Sequence, residues 1–279
     1  MWYRRDLKAR AKEVLRGNYW KAFLISLVIG FATGGGGGGS SGGRSGGGGS
    51  GIGGSGGGGN FGGFEGSYHW DGSYDGNSFS FSGWEPDWLL ILGAVSAILG
   101  IILIVAIGIR VFLGYPLEVG GRKYFVQSAQ YFNNKRCFRF AFDGQNYLGI
   151  IGTMFIKGIF NFLWFLLLFF PGIVKSYAYR MVPYILADNP NIGARRAIEL
   201  SNEMMRGHKW KMFVLDLSFL GWYLLGLLAL FIGVLFVEPY RHATEAELYL
   251  VLRSNVIESG KCSLWELNLY DPNQIEYNV

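Results

Sequence analysis

Long apolar runs alternate with short basic segments along this chain, and this alternation predicts helices that cross a membrane. The clearest run begins at Trp88 and has about 22 uncharged residues, enough to cross a hydrocarbon core of about 30 Å. Further apolar runs occupy residues 19–33, 147–170 and 208–238. We therefore predict an all-α fold, a polytopic transmembrane helix bundle with amphipathic helices at the membrane interface.

The N-terminal segment, residues 1–18, has the pattern of a basic amphipathic helix. Apolar residues at helical spacing, from Leu7 to Leu15, fall on one face, and lysine and arginine occupy much of the rest. Such a helix lies either in the membrane interface or on the cytoplasmic side of the protein itself. Because the basic residues precede the first span, residues 19–33, the positive-inside rule places the N-terminus in the cytoplasm.

Residues 34–87 form the longest stretch without helical periodicity. Glycine and serine make up nearly all of residues 34–59, which predicts a disordered coil because little apolar surface offsets its chain entropy. Aromatic and acidic residues follow, and the acidic balance is typical of an extracytoplasmic loop. These aromatic residues either bind a glycan or a peptide or rest on lipid headgroups.

Basic and aromatic residues follow the second span, residues 88–113. They predict that residues 114–146 form a cytoplasmic loop with an interfacial helix, in which aromatic residues including Tyr124 and Phe125 anchor at the membrane. Interleaved basic and aromatic residues also bind single-stranded nucleic acid. Directly beside a span, contact with anionic lipid is the better explanation, so we predict no nucleic-acid partner.

The third span, residues 147–170, contains Lys157 and ends at Pro171 and Gly172. An ammonium group at that depth is expensive and usually faces a bundle interior or a polar cavity. Proline cannot continue the hydrogen-bond ladder, and glycine lets the chain turn. The sequence therefore predicts a polar elbow at or inside the bilayer.

The segment after the elbow, residues 171–188, is short for a span and carries Lys175 and Arg180. It forms either a short return crossing or a helix that lies on the inner leaflet. In the last span, Asp216 is a candidate partner for Lys157 or Arg180, since pairing lowers the expense of each buried charge. The alternative is an aspartate in contact with water near the inner interface.

Residues 189–207 are predicted to form a cytoplasmic amphipathic helix, with Asn189 as its N-cap and Pro190 as its first residue. The candidate binding residues of the chain are Lys157, Lys175, Arg180, Asp188, Arg195, Arg196, His208 and Asp216. The residues predicted to set the elbow and the helix ends are Pro171, Gly172, Pro183, Asn189, Pro190 and Gly207.

Composition supports the membrane interpretation and excludes several kinds of chemistry. Charged residues are 16% of the chain, against roughly 25% in soluble domains. The net charge of +5 comes from basic residues beside the predicted spans, where the positive-inside rule places such residues on the cytoplasmic side. Cys137 and Cys262 have no metal-binding spacing and are expected to be unpaired. The three histidines lie in separate regions, so we predict neither a metal nor a cofactor.

Five stretches of the chain carry long motifs: LKARAKEVLRGNYWKAFLISL, PGIVKSYAYRMVPYILADNP, AIELSNEMMRGHK, LDLSFLGWYLL and PYRHATEAELY. Together they resemble an uncharacterised family of bacterial membrane proteins, the domain of unknown function 975 family. The resemblance covers nearly the whole chain except the glycine-rich loop. It implies a multi-pass protein of the bacterial plasma membrane without implying any chemistry. The elbow more distantly resembles the membrane domain attached to some glycerophosphodiester phosphodiesterases, although no such catalytic domain is present here.

Residues 239–279 begin as an amphipathic helix and end in a polar tail. Four full spans place this tail in the cytoplasm, whereas a fifth crossing by residues 171–188 places it outside. The distant resemblance favours the cytoplasm, because a comparable helix of those membrane domains meets the cytoplasm.

Three functions agree with this sequence. We favour a non-enzymatic module that binds membrane lipid, a peptide or a protein partner around the elbow. The second is a transporter or immunity-like factor with a polar path through Lys157, Arg180 and Asp216. The third is a membrane-embedded enzyme that acts on lipid headgroups with Asp188 and His208. A dry, filled bundle favours the module, and a polar cavity that reaches the midplane of the membrane favours transport. Convergent carboxylate and histidine groups at one leaflet favour the enzyme.

Overall fold

The structure is a computed structural model that describes residues 2–33, 88–228 and 232–269. The described residues are helical, without a strand among them, and this confirms the predicted all-α class. The predicted glycine-rich loop and the last ten residues of the tail lie outside the described residues. The chain divides into two compact units, residues 1–41 with 103–279 and residues 42–102.

The helices follow one another along the chain with short connections. In the described residues they are α1 (Arg4–Ala32), α2 (Trp88–Ile109), a π-helical segment (Arg110–Gly114), α3 (Tyr115–Ala129), α4 (Cys137–Ala141), α5 (Gly144–Leu167), α6 (Phe169–Ala178), α7 (Val182–Asp188), α8 (Ala194–Met204), α9 (Lys209–Leu228) and α10 (Ile232–Glu258).

Two helices of the described residues are long and apolar enough to cross a membrane. The first, Leu90–Ala129, joins α2, the π-helical segment and α3 into one continuous helix. The second is α5, which has 24 residues. They correspond to the spans predicted for residues 88–113 and 147–170. The multi-pass arrangement and its orientation stay predictions.

Helix α1 combines the predicted basic amphipathic helix and the predicted first span. A kink at Asn18, where φ is −134° and ψ is 25°, separates the two parts. Leu7, Ala11 and Leu15 on the N-terminal part are buried in the protein. Of the two arrangements expected for this segment, the apolar face therefore packs on the protein itself.

Helix α3 lies in the core of the larger unit, because glycines let its neighbours approach. A Cβ atom on Gly121 would lie 2.4 Å from the Ile29 side chain of α1, and one on Gly120 would lie 3.1 Å from Phe138. Tyr124 and Phe125 are buried here, at 3% and 1% exposure. The prediction that these two residues anchor at a membrane interface is therefore wrong.

The elbow lies between α5 and α6, three residues before its predicted position. Leu168 is extended, with φ −156° and ψ 127°, and separates the two helices. Pro171 is in the first turn of α6, where its missing N–H group interrupts no hydrogen bond. A Cβ atom on Gly172 would lie 2.8 Å from the Phe165 ring. Glycine at this position thus allows α6 to fold back closely on α5.

The start of α8 differs from the sequence prediction. The helix begins at Ala194, after Gly193 with its positive φ of 86°, and Asn189 is not its N-cap. Asn189 follows α7 instead, where its side chain accepts the Asn191 N–H and donates to the backbone carbonyl of Glu266. Pro190 consequently lies in the turn between the two helices.

The remaining two residues predicted to set helix ends are close to helix ends in the structure. Pro183 is in the first turn of α7, as proline commonly is. Gly207 has a φ of 77° in the turn after α8, which explains a glycine there.

The larger unit exposes many large apolar side chains. They lie on the C-terminal part of α1, on α5 and on α9, and we call them the exposed apolar set: Trp20, Leu24, Phe31, Phe162, Leu166, Leu167, Trp222, Leu224 and Leu228. Soluble monomers rarely expose contiguous apolar patches of more than a few hundred Å².

Candidate binding site

A buried carboxylate, Glu245 of α10, is surrounded by three guanidinium groups. Its Oε1 atom lies 2.6 Å from Arg180 Nη2 and 3.1 Å from Arg241 Nη2. Its Oε2 atom lies 3.0 Å from Arg122 Nη1 and accepts a hydrogen bond of 3.1 Å from the Tyr184 hydroxyl. Only 2% of the Glu245 side chain is exposed. Both carboxylate oxygens are thus fully engaged inside the protein.

These charges converge because three segments of the chain meet at one place. Arg122 comes from α3, and Arg180 comes from the turn between α6 and α7. On α10, Glu238, Arg241 and Glu245 are three and four residues apart and therefore share one face.

Asp216 of α9 extends the same network. Its carboxylate accepts two hydrogen bonds from Arg180, of 2.7 and 3.0 Å, and one of 3.1 Å from the Tyr177 hydroxyl. The sequence predicts either Lys157 or Arg180 as a partner of this aspartate, and the structure shows that Arg180 is the partner. We call the connected set the charge cluster: Arg122, Arg180, Asp216, Glu238, Arg241, His242 and Glu245.

The guanidinium groups determine the ionisation of Glu245. Burial by itself would raise the pKa of this carboxyl group. Arg180, Arg241 and Arg122 outweigh burial and hold the pKa well below its usual range. Glu245 is therefore a permanent anion that links the arginines of three segments.

His242 is kept neutral inside the charge cluster. Burial first, and then the neighbouring Arg122 guanidinium, lower the pKa of His242 well below its usual value. Arg122 Nη1 lies 2.7 Å from His242 Nδ1, so Nδ1 accepts a hydrogen bond. The proton of the neutral ring is then on Nε2, which lies 3.4 Å from Glu238.

We predict that acid destabilises the protein partly through His242. As pH falls below about 6.5, the unfolded chain binds a proton at this histidine while the folded protein does not. The stability present above that pH is then lost progressively. Melting temperatures in detergent between about pH 7 and pH 5 test this, and His242→Gln should show the shallower decrease. Equal slopes for the two proteins would contradict the assignment.

Next to the charge cluster is a cavity of about 100 Å³. We call it the cationic cavity, because its lining is rich in basic groups. The acidic, basic and histidine side chains that line it are Arg110, Glu118, Arg122, Lys157, Arg180, Glu238, Arg241 and His242. One water needs about 10–15 Å³ of such space, so several water-sized groups fit. The larger unit is thus not a dry, filled bundle at this place.

Lys157 of α5 differs from the three arginines around Glu245 in having no ion-pair partner among the described residues. Arg122, Arg180 and Arg241 each lie within 3.1 Å of Glu245. Lys157 makes neither a hydrogen bond nor an ion pair with any residue that the structure describes. Its ammonium group, on the wall of the cavity, therefore has no direct ion-pair partner, and the Glu118 carboxylate of the same lining attracts it only electrostatically.

The structure brings together three of the eight predicted binding residues, Lys157, Arg180 and Asp216. Lys175 instead lies over the Trp164 ring, 4.8 Å from its centroid. Arg195 is exposed on α8. These two residues lie outside the lining of the cationic cavity.

The other predicted residues have structural partners elsewhere in the larger unit. Asp188 accepts hydrogen bonds from Tyr249 and Arg253, of 2.6 and 2.9 Å. His208 packs against the ring of Trp2. Arg196 forms ion pairs with the side chains of Glu266 and Glu199. No contact among the described residues joins Asp188 to His208, the pair that the enzyme hypothesis requires.

Sequence reasoning missed four central members of the site: Arg122, Arg241, His242 and Glu245. The sequence pattern predicts a cytoplasmic loop around Arg122 and an amphipathic helix for the α10 residues. The available signal was the repeat of charges at helical spacing on one face of α10, from Glu238 to Glu245. That pattern is also typical of a solvent-exposed helix face. Only the burial of these side chains distinguishes a buried charge cluster from such a face.

The cysteines are uninvolved in this chemistry. Cys137 and Cys262 are free, as the sequence predicts, and the structure shows that both are buried. Burial raises the pKa of the Cys137 thiol to about 11 and that of the Cys262 thiol to about 12. Both groups are therefore protonated, unreactive thiols at neutral pH.

The fold and the site define an all-helical protein with two helices suited to cross a membrane and a buried charge cluster beside a cationic cavity. Residues 153–256 match the family described as Protein of unknown function (DUF975). The family predicted from the resemblance is confirmed over these residues, and the resemblance of the N-terminal motif stays a prediction. No curated protein and no solved structure matches the chain.

The matched segment contains much of the site. Lys157, Arg180, Asp216 and Glu245 lie inside residues 153–256. Arg110 and Arg122 lie outside it, so the cationic cavity combines side chains from within and beyond the matched residues.

Proposed function

We propose that this protein is a multi-pass membrane protein that binds a ligand in the cationic cavity and catalyses no reaction. One observation carries the proposal. Lys157 lines the cavity, while its helix neighbours Phe155, Ile156, Ile159 and Phe160 are exposed. Helix α5 thus has an apolar side suited to lipid and a cation on the side that faces the cavity.

The exposed apolar set supports membrane insertion. Burying apolar surface in lipid gains about 25 cal/mol for each Å², and these side chains find no such burial within the larger unit. The proposed spans are residues 19–33, 88–113, 147–170 and 208–238. With the basic N-terminus in the cytoplasm, the positive-inside rule orients the chain in a bacterial plasma membrane.

The surplus of positive charge supports ligand binding. A cation without a counterion is unfavourable in a partly buried site, and such groups in membrane segments mark functional pathways or sites. A ligand that supplies negative charge would remove the penalty. Membrane lipids are the proposed partners, and a protein or peptide partner is the alternative.

The first part of the proposal predicts that the protein behaves as an integral membrane protein. After expression in bacteria, alkaline carbonate should leave it in the membrane pellet, because helices in lipid are not held by surface charges.

In a second measurement, native mass spectrometry of detergent-purified protein should detect a retained anionic adduct. Lys157→Met should lose the adduct, and Lys175→Met should keep it, since the structure places Lys175 outside the cavity. Release by carbonate, or equal adducts in all three proteins, would contradict the proposal.

Transport is the second candidate, because the polar cavity includes Lys157 and Arg180. Arg180 is held by Asp216 and Glu245, however, which limits its movement along a path. Uptake of radiolabelled phosphate into vesicles that contain the protein is the measurement. If the protein transports phosphate, Lys157→Met should reduce the flux, and unaltered flux would exclude this path.

A further inference from the structure

The charges around the cationic cavity do not balance. The cavity and the adjoining charge cluster hold five cationic side chains and four carboxylates, which are Arg110, Arg122, Lys157, Arg180, Arg241, Glu118, Asp216, Glu238 and Glu245. His242 is neutral, so one positive charge remains in excess. The excess belongs to Lys157 and Arg110, because neither forms an ion pair with a described residue, whereas Arg122, Arg180 and Arg241 do. Glu118 attracts Lys157 electrostatically without forming an ion pair with it.

Two further donors in the same place lack a protein partner. The Nε–H groups of Arg122 and Arg180 are buried and donate to no atom of the described residues. Both side chains line the cavity and are more than nine-tenths buried. Buried donors of this kind are rare, and each leaves a desolvation penalty of about 1–3 kcal/mol when unpaired.

We propose that the cationic cavity binds a phosphate group, which accepts hydrogen bonds from Lys157 and from the Nε–H groups of Arg122 and Arg180. The inference rests on the proposed function, because it names the ligand class of the same cavity. The phosphate is either the headgroup of an anionic lipid or a free phosphate ion, since both present the same oxygens.

The arrangement of donors favours phosphate over other anions. The donors come from α3, from α5 and from the turn between α6 and α7, so they approach from different directions. A tetrahedral group with several oxygens satisfies such donors better than a planar carboxylate or a chloride ion. Guanidinium groups also match phosphate geometry. The volume of about 100 Å³ has room for one phosphate group.

The experiment measures the melting temperature of the full chain in a neutral detergent while a ligand is titrated. The ligands are inorganic phosphate, dioctanoyl phosphatidic acid, dioctanoylglycerol and sodium chloride at matched ionic strength. We expect a saturable increase with phosphatidic acid, with inorganic phosphate or with both, because a ligand that binds only the folded protein stabilises it. A response to phosphatidic acid alone identifies the lipid headgroup as the source, and a response to both ions identifies phosphate itself.

Variants at position 157 make the test specific. Lys157→Met should weaken binding by about tenfold or more, because it removes charge-assisted hydrogen bonds. Without ligand the same variant should melt at a higher temperature than the wild type, since the uncompensated charge is gone. Lys157→Arg and Lys175→Met should keep the response. If Lys157→Met does not fold, Arg110→Gln provides the same comparison from another helix.

Several results would overturn the inference. An equal shift with sodium chloride would show ionic screening rather than a site. The absence of any shift with both phosphate ligands, or a shift that Lys157→Met and Arg110→Gln leave intact, would exclude a phosphate site here. If an anionic adduct that contains no phosphorus is nevertheless lost from Lys157→Met in mass spectrometry, the cavity binds an anion of another class and only this inference fails.

Discussion

Glu245→Gln is expected to lower the free energy of unfolding by about 3–5 kcal/mol, the range for breaking a buried ion pair by removing one partner. The carboxylate is the common counterion of Arg122, Arg180 and Arg241. Glutamine has nearly the same shape and still accepts hydrogen bonds, so the variant removes chiefly the charge. Three guanidinium groups would then face one another with only their peripheral partners.

Thermal and chemical unfolding of the purified protein in detergent, followed by tryptophan fluorescence, measures this effect. Glu258→Gln is the matched control, because Glu258 lies on the same helix and is exposed. The control should change stability by less than about 0.5 kcal/mol. A comparable loss in the two variants would mean that Glu245 does not organise the cluster.

Gly226→Ala is expected to cause the second largest loss, because α9 and α10 approach each other at this residue. A Cβ atom on Gly226 would lie 2.7 Å from the backbone of Gly233 and of Val234. Backbone atoms cannot move aside as a flexible side chain can, so the helices must separate. Overpacking of this kind costs about 1–3 kcal/mol.

Gly221→Ala on the same helix is the control for helix propensity. A Cβ atom on Gly221 would have no heavy atom of the described residues within 4 Å, apart from its chain neighbours and the backbone of its own helix. This variant should be neutral or more stable by up to about 1 kcal/mol, since alanine has the higher helix propensity. The two glycine variants should therefore change the melting temperature in opposite directions, or at least unequally, in the same unfolding measurement. Equal effects would contradict the close approach.

Local features of the fold were predictable from the sequence because they depend on neighbouring residues. The apolar run from Trp88 and the run that contains Lys157 form long helices, because their length and apolar composition already favour such helices. The elbow was located to within three residues, because Pro171 and Gly172 restrict the chain wherever they occur. The start of α8 was misplaced because Asn189 bonds to Glu266, which is 77 residues away in the chain.

The sequence by itself determined the helical class, the two long apolar helices, the approximate position of the elbow and the absence of a disulfide between Cys137 and Cys262. The tertiary structure alone decided which charges are buried and which of them meet. Arg122 and Glu245 lie 123 residues apart, and their contact depends on the packing of α3 against α10. The same packing leaves Lys157 without an ion-pair partner among the described residues. A helical spacing of charges is compatible with water or with a protein interior, and only the position of the other helices distinguishes them.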